Sequence, residues 1–211
     1  MEIKKLTILG LSEPTISMIF DNLESNNQFP EITIINNLEI DTKKDFYNPK
    51  FNYKVLHKLE NYDSAFFVGV LKSKTKKQLI EYFKNISSYL NIIHTNTAIS
   101  STTTFGHGCL VNSMVSIAAH SHIGNFVSIN RNASIGHHCI IENFSTINPN
   151  ATIAGSVRVG QNTTIGMGVN IIDGITIGSN TIIGAGSLVT KNIPDNVVAY
   201  GFPCEVVRKH E

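Results

Sequence analysis

Three things are scarce in this chain of 211 residues, and each scarcity removes a class of function. Cysteine occurs only three times, as Cys109, Cys139 and Cys204, an odd number of widely spaced thiols with no CxxC pair. That argues against a disulfide framework and a cysteine zinc site and for reduced thiols in a cytoplasmic setting. Neither sign of charge is in excess: 17 lysines and arginines face 16 aspartates and glutamates. No global field therefore draws nucleic acid or an anionic membrane. Apolar runs are short. The opening MEIKKLTILGLSEP has one brief apolar stretch ended by a proline, with no cleavage-like site after it. No segment approaches the ~20 apolar residues of a membrane helix. The expectation is a cytoplasmic protein without membrane insertion, whose partners bind at local sites.

What is present falls into two parts, and at 42% hydrophobic residues there is ample material for their cores. In the first, residues 6–11 read as a short buried strand. Residues 12–23 read as a helix with Ser12 as N-cap candidate and Pro14 in its first turn; Ile16, Ile19, Phe20 and Leu23 recur at helical spacing. Residues 31–37 and 64–71 read as two more strands. Residues 74–90 read as an amphipathic helix with Leu79, Ile80, Phe83, Ile86 and Leu90 on one face. This order predicts a small, Rossmann-like parallel α/β domain over residues 1–91.

From Ile93 the pattern becomes a six-residue beat. Seventeen consecutive positions, from Ile93 through Ile99 and Phe105 to Ile183 and Val189, are isoleucine, valine or phenylalanine without one slip. Four residues after each comes a small or β-branched residue, as at Thr97, Cys109, Ser121, Ala133, Cys139 and Ser187. Glycine often follows the aliphatic directly, as at Gly106, Gly124, Gly136, Gly160 and Gly166. Hexapeptide repeats are the signature of a parallel β-helix. Three hexads close a triangular coil of eighteen residues, so the sixteen steps give a little over five coils. The aliphatics fill the interior, and the glycines are expected to supply the backbone freedom of the corners. Cys109 and Cys139 fall on the inward small position and read as packed thiols. The β-helix is assigned to residues 92–194 and a tail to 195–211.

One stretch stands out, I135-G-H-H-C-I-I141. Adjacent residues of extended chain point to opposite sides, so His137 and His138 are expected to diverge. The eighteen-residue coil stacks His138 on His120, one coil earlier.

The beat [I/V]-G-x-x-[small]-x resembles the hexapeptide-repeat acyltransferases, whose β-helix is left-handed. The tail V189-T-K-N-I-P-D-N-V-V-A-Y-G-F-P-C204 is similar to that family's last coil and its G-x-P-A ending, with Cys204 in place of alanine. With the α/β domain in front, the chain resembles the nucleotide-sugar N-acetyltransferases of the bacillosamine and viosamine type, a set that includes the sialic-acid O-acetyltransferase group. The resemblance implies a homotrimer that uses acetyl-coenzyme A, requires no metal, and acetylates a UDP- or dTDP-linked amino sugar for lipopolysaccharide, O-antigen or other glycan biosynthesis. It maps the family's catalytic histidine onto His137, in I135-G-H-H-C-I-I-E-N-F144; His138 takes the place of the usual acidic neighbour, and Thr146 that of a further family histidine. Asn130 matches a supporting asparagine near the sugar. Gly155, in A154-G-S-V-R-V-G160, matches the glycine whose amide meets the thioester carbonyl. Gly155, Met167, Ala185 and Pro203 are the implied coenzyme-binding residues. Gly10, Ser12, Asn36 and Asn37 are the implied substrate-binding residues, although Glu13, Pro14 and Thr15 replace part of the family's glycine-rich turn.

The residue types suit acyl transfer. A sugar ammonium must lose a proton to attack, and histidine titrates in the right range to accept it. A backbone amide such as that of Gly155 can stabilise the oxyanion. Without the acidic neighbour, the group that orients His137 is left open between a backbone carbonyl, Asn130, His138 and a residue of another subunit. Three other readings stand beside this one: an O-acetyltransferase or an enzyme using a longer acyl-coenzyme A; a zinc enzyme of the γ-carbonic anhydrase kind, with His120, His122 and His137 converging; and a non-catalytic β-helix scaffold.

Overall fold

The structure is a computed structural model that describes residues 2–36, 48–59 and 62–210. It divides into two compact units, Met1–Thr95 and Asn96–Glu211. The first contains β1 (Lys5–Leu9), α1 (Glu13–Ser25), β2 (Glu31–Ile35), β3 (Tyr53–Leu56), β4 (Ala65–Val68) and α2 (Ser73–Tyr82). The four strands are all parallel and lie in the order β3-β2-β1-β4. Leu6, Ile8, Leu9 and Ile34 of the sheet and Ile16, Ile19 and Phe20 of α1 are buried. Phe20 also stacks on Phe51, with ring centroids 4.6 Å apart. Burying one such side chain stabilises by roughly 1.5–3 kcal/mol.

Two elements of this unit differ from expectation. β3 is an added edge strand; Lys54 and Val55 are exposed, so it has no apolar run or alternation by which to announce itself. The helix expected over 74–90 stops at Tyr82. Asn85, Ser87 and Ser88 lie beyond that point, and such side chains compete with helical hydrogen bonds. The Leu90 amide instead donates to the Phe66 carbonyl at 2.9 Å, laying the segment beside β4.

The second unit is the left-handed parallel β-helix. Its two-residue strands form three parallel walls. The first runs from Ala98–Ile99 to Leu188–Val189, the second from Thr104–Phe105 to Thr176–Ile177, and the third from Leu110–Val111 to Ile182–Ile183. Within each wall successive strands pair at a spacing of eighteen residues, as in Ile135↔Ile153 and Ile123↔Ile141. The second residue of each strand points inward, and from Val111 to Val189 these are buried throughout. Val197–Gly201 continues the third wall in parallel with Ile182–Ile183 and turns back on Cys204–Lys209 as an antiparallel hairpin.

The corners are made differently from the expectation. The left-handed backbone conformation falls three residues after each aliphatic, at every sixth residue from Gly108 to Gly186, with φ between 53° and 71°. Most residues there are not glycine: they include Met114, His120, Phe126, Asn132, His138, Phe144 and Asn150. Each non-glycine residue in this conformation costs roughly 1–2 kcal/mol. Stacking between coils offsets the cost. Asn132 donates to Asn150 at 2.7 Å, and Asn162 to Asn180 at 2.9 Å. Phe126 stacks on Phe144 at 5.2 Å. The glycines directly after the aliphatics have another purpose. A Cβ on Gly136 would lie 2.6 Å from the Ala154 carbonyl carbon and 2.7 Å from the Gly155 nitrogen. Close approach of the next coil, not a special φ, excludes a side chain there.

The inward small residues satisfy the corners' polar groups. Ser145 Oγ donates to the Gly160 carbonyl at 2.7 Å and accepts from the Thr163 amide at 3.1 Å; Thr163 Oγ1 repeats both bonds one coil on, to Gly178 and from Thr181. Cys109 and Cys139 occupy equivalent positions, each Sγ donating at 3.1 Å to a carbonyl, of Gly124 and Ala154 respectively. Cys139→Ser is therefore expected to change stability by less than about 1 kcal/mol, because serine already makes this bond at Ser121 and Ser145. Cys139→Leu is expected to cost about 1–3 kcal/mol by overpacking. Denaturant unfolding of the two variants checks both.

Candidate active site

The corner between the first and second walls carries His120, His137, His138 and Gly155. Local backbone determines how the histidines meet. His137 follows the strand Ser134–Ile135, and His138 takes the left-handed conformation with φ 56°. The side-to-side alternation of extended chain fails at that residue. The two imidazoles consequently converge instead of diverging, with His137 Nδ1 3.0 Å from His138 Nδ1. The expected opposition of the pair is overturned by this one dihedral angle. Histidine is among the residues that enter this conformation more readily than most. The His138 amide holds the turn by donating to the Ala119 carbonyl at 2.9 Å.

Stacking supplies the rest. His138 lies over His120, ring centroids 5.0 Å apart, as the eighteen-residue coil predicts. Gly155 lies eighteen residues after His137 and one coil on; the Ser156 amide donates to the His137 carbonyl at 2.8 Å. A Cβ on Gly155 would lie 2.6 Å from His137 Cε1 and 2.7 Å from Nε2. The Nε2 edge of the imidazole thus rests on the Gly155 backbone, which only glycine permits. The Gly155 amide has no acceptor among the described residues. At the next corner the corresponding amides of Asn125 and Gln161 are taken by Asn143 Oδ1 and Glu142 Oε2. The His138–His120 stacking was legible in the eighteen-residue spacing; the seat of His137 on Gly155 was not.

Other expected residues are placed elsewhere. Asn130 lies at the corner between the third and first walls, where it accepts from Asn112 at 3.2 Å and approaches Asn148 at 3.5 Å in a buried ladder. Met167 and Ala185 share that corner, one coil apart and exposed, with the Gly186 amide bonded to the Met167 carbonyl at 2.8 Å. Pro203 is exposed at the tip of the terminal hairpin. Thr146 is a third-wall strand residue between Ser128 and Thr164. His122 turns its Nδ1 to Thr104 Oγ1 at 2.8 Å. Among the described residues no three His, Cys, Asp or Glu side chains form a group suited to a metal ion. Burial pushes the Cys139 thiol above its usual range, outweighing nearby backbone hydrogen bonds, and Cys204 is raised first by burial as well. Both stay protonated near neutrality, so the thiol beside the histidines is not a nucleophile.

In the first unit, Gly10 ends β1 with φ 81° and its amide donates to the Ile35 carbonyl at 2.9 Å. Ser12 precedes α1 as its N-cap without a side-chain capping bond; its Oγ accepts from Thr15 at 3.1 Å. Asn36 is buried just after β2, its amide bonded to the Leu56 carbonyl at 2.8 Å. These three residues share the carboxyl edge of the sheet, where open parallel sheets bind ligands. Asn37 lies outside the described residues. Among the described residues no helix is long and apolar enough to cross a membrane.

The β-helix thus places a histidine base candidate against the backbone of Gly155, and comparison with known proteins matches its repeats and its fold. Residues 120–155 and 156–191 match the bacterial transferase hexapeptide family (six repeats). No curated protein matches the chain by sequence. Several solved structures are similar in fold over nearly the whole chain. A mutant of perosamine N-acetyltransferase from Caulobacter crescentus, in complex with CoA and GDP-perosamine, is 24% identical with a TM-score of 0.85, covering 97% of this chain and 97% of that one. PerB from the same organism, also in complex with CoA and GDP-perosamine, is 25% identical with a TM-score of 0.81, covering 97% and 98%. The acetyltransferase domain of PglB from Neisseria gonorrhoeae, in complex with acetyl coenzyme A, is 22% identical with a TM-score of 0.84, covering 97% and 100%.

Gly155→Ala is expected to leave the fold intact and to dislodge His137, because the added methyl meets the end of a side chain and not backbone. Gly136→Ala, whose methyl meets backbone, is expected to destabilise by about 1–3 kcal/mol. Thermal melts of the pair, with imidazole nitrogen resonances of the first, check the distinction.

Proposed function

We propose that the protein is an acetyl-coenzyme A-dependent N-acetyltransferase acting on the amino group of a nucleotide-linked amino sugar. One observation carries this reading: the Nε2 edge of His137 lies against Gly155, whose amide has no acceptor among the described residues. A base and an oxyanion donor therefore adjoin. His137 Nδ1 is committed to His138, which leaves Nε2 to take a proton from the attacking amine, the sugar ammonium having already lost its first proton to solvent. The amine adds to the thioester carbonyl. The Gly155 N–H donates to the oxyanion, a contribution of about 3 kcal/mol for such donors. The tetrahedral species then expels the coenzyme A thiolate, which takes up the proton held by the imidazole. No covalent enzyme intermediate is required.

The corner geometry favours a homotrimer. His137 and Gly155 occupy one corner of the chain, while Asn130, Met167 and Ala185 occupy another. A site for coenzyme and sugar that uses both sets draws one corner from each of two neighbouring β-helices. Gly10, Ser12 and Asn36, at the carboxyl edge of the N-terminal sheet, are assigned together with Asn37 to the UDP- or dTDP-linked sugar. The GDP-perosamine bound by PerB and by the mutant perosamine N-acetyltransferase makes GDP a third nucleotide to test. We place the reaction in the cytoplasm, in glycan biosynthesis, with the nucleotide-sugar N-acetyltransferases as the matching type.

The test is thiol release from acetyl-coenzyme A in the presence of UDP-, dTDP- and GDP-linked amino sugars. At least one sugar is expected to be acetylated, and His137→Ala is expected to lose at least about a hundredfold in turnover. Activity on none of the sugars overturns the reading; wild-type turnover in His137→Ala overturns the assignment of the base.

A further inference from the structure

The geometry points to His138 as a positioning residue: as a neutral imidazole it accepts a hydrogen bond from His137 Nδ1 and so holds the base in the tautomer with a bare Nε2. Its purpose rests on the acyl-transfer reading above; the hydrogen bond and its tautomers do not.

Two ring nitrogens 3.0 Å apart must share one proton, since one has to donate and the other to offer a lone pair. Two arrangements satisfy this. In one, His137 Nδ1–H donates to His138 Nδ1, His138 carries its proton on Nε2, and His137 Nε2 is free to accept. In the other, His138 donates and His137 carries its proton on Nε2, where it cannot act as a base. Only the first survives the reaction. When His137 Nε2 takes a proton, the imidazolium still has Nδ1–H to donate, and His138 keeps its tautomer throughout.

The surroundings leave no substitute for this acceptor on the same corner. The titratable groups beside His138 are His137 and, one coil earlier, His120 at 5.0 Å between ring centroids. The following residue in the same column is Ser156. Among the described residues the one carboxylate on this corner is Asp173, two coils from His137 and so about 10 Å away at the spacing of parallel strands. An imidazole acceptor differs from a carboxylate in one respect that can be measured: it is itself lost on protonation. Two imidazoliums both carry Nδ1–H and cannot make the contact, so acid removes the base and its orienter together.

Three variants separate the side chain from the backbone it sits on. His138→Gly tolerates φ 56° but removes the acceptor. His138→Asn also favours that conformation and offers an amide oxygen. His138→Glu supplies a carboxylate. Expected are a fall in kcat of about tenfold or more for His138→Gly with KM for acetyl-coenzyme A unchanged, and recovery of most of that loss in His138→Asn. In His138→Glu the acid limb of kcat/KM should move to higher pH, because a carboxylate partner raises the pKa of the base. Wild-type kcat in His138→Gly, or a loss that His138→Asn does not recover, overturns the positioning role. Independently of any substrate, nitrogen-15 spectra of the folded protein at pH 8 should show His137 protonated on Nδ1 and His138 on Nε2. A proton on His138 Nδ1 overturns the assignment even in an active enzyme. Failure of every sugar with the expected tautomers present overturns the acyl-transfer reading alone.

Discussion

The eighteen-residue register is the constraint on which the rest of the β-helix depends. Each coil places every residue against its counterpart eighteen later, so one position repeats as a column along the molecule. Inward columns are aliphatic or small, and their hydroxyls and thiols serve the carbonyls of the next corner. Corner columns accept a left-handed residue in every coil and offset its cost by stacking like on like, asparagine on asparagine and phenylalanine on phenylalanine. An insertion of one residue would break all columns at once, which explains why the beat runs without a slip.

The candidate site is a local use of the same rule. The column of His137 continues into Gly155, and that of His138 continues back to His120. The imidazole of His137 lies where a side chain at position 155 would otherwise stand. The left-handed turn at His138, required by the fold at every sixth residue, brings two adjacent imidazoles into hydrogen-bonding range. No additional strained residue is needed to build the pair; the site inherits its geometry from the corner.

The first unit obeys ordinary parallel α/β rules and is less regular. Its strand order turns at β1 and β4, and the residues implied by the family resemblance, Gly10, Ser12 and Asn36, lie along the carboxyl edge of β1 and β2. The departures there are chemical: Glu13 and Pro14 stand in the first turn of α1, in place of a glycine and a histidine of the motif it resembles.

The β-helix was legible in the residues because its period is strict and its interior admits few residue types: Ile, Val or Phe at every sixth position from 93 to 189 determines the fold without reference to anything distant. The edge strand β3 and the early end of α2 were not, since exposed strands lack an apolar pattern and the Leu90 amide is claimed by Phe66 from another part of the chain. His137 was legible through its motif, and the His120–His138 stacking through the spacing. Only the tertiary structure decided that His137 and His138 face each other and that Gly155 carries the ring. The first depends on one dihedral angle set by the corner. The second depends on contact across a coil, which neighbours in sequence do not encode.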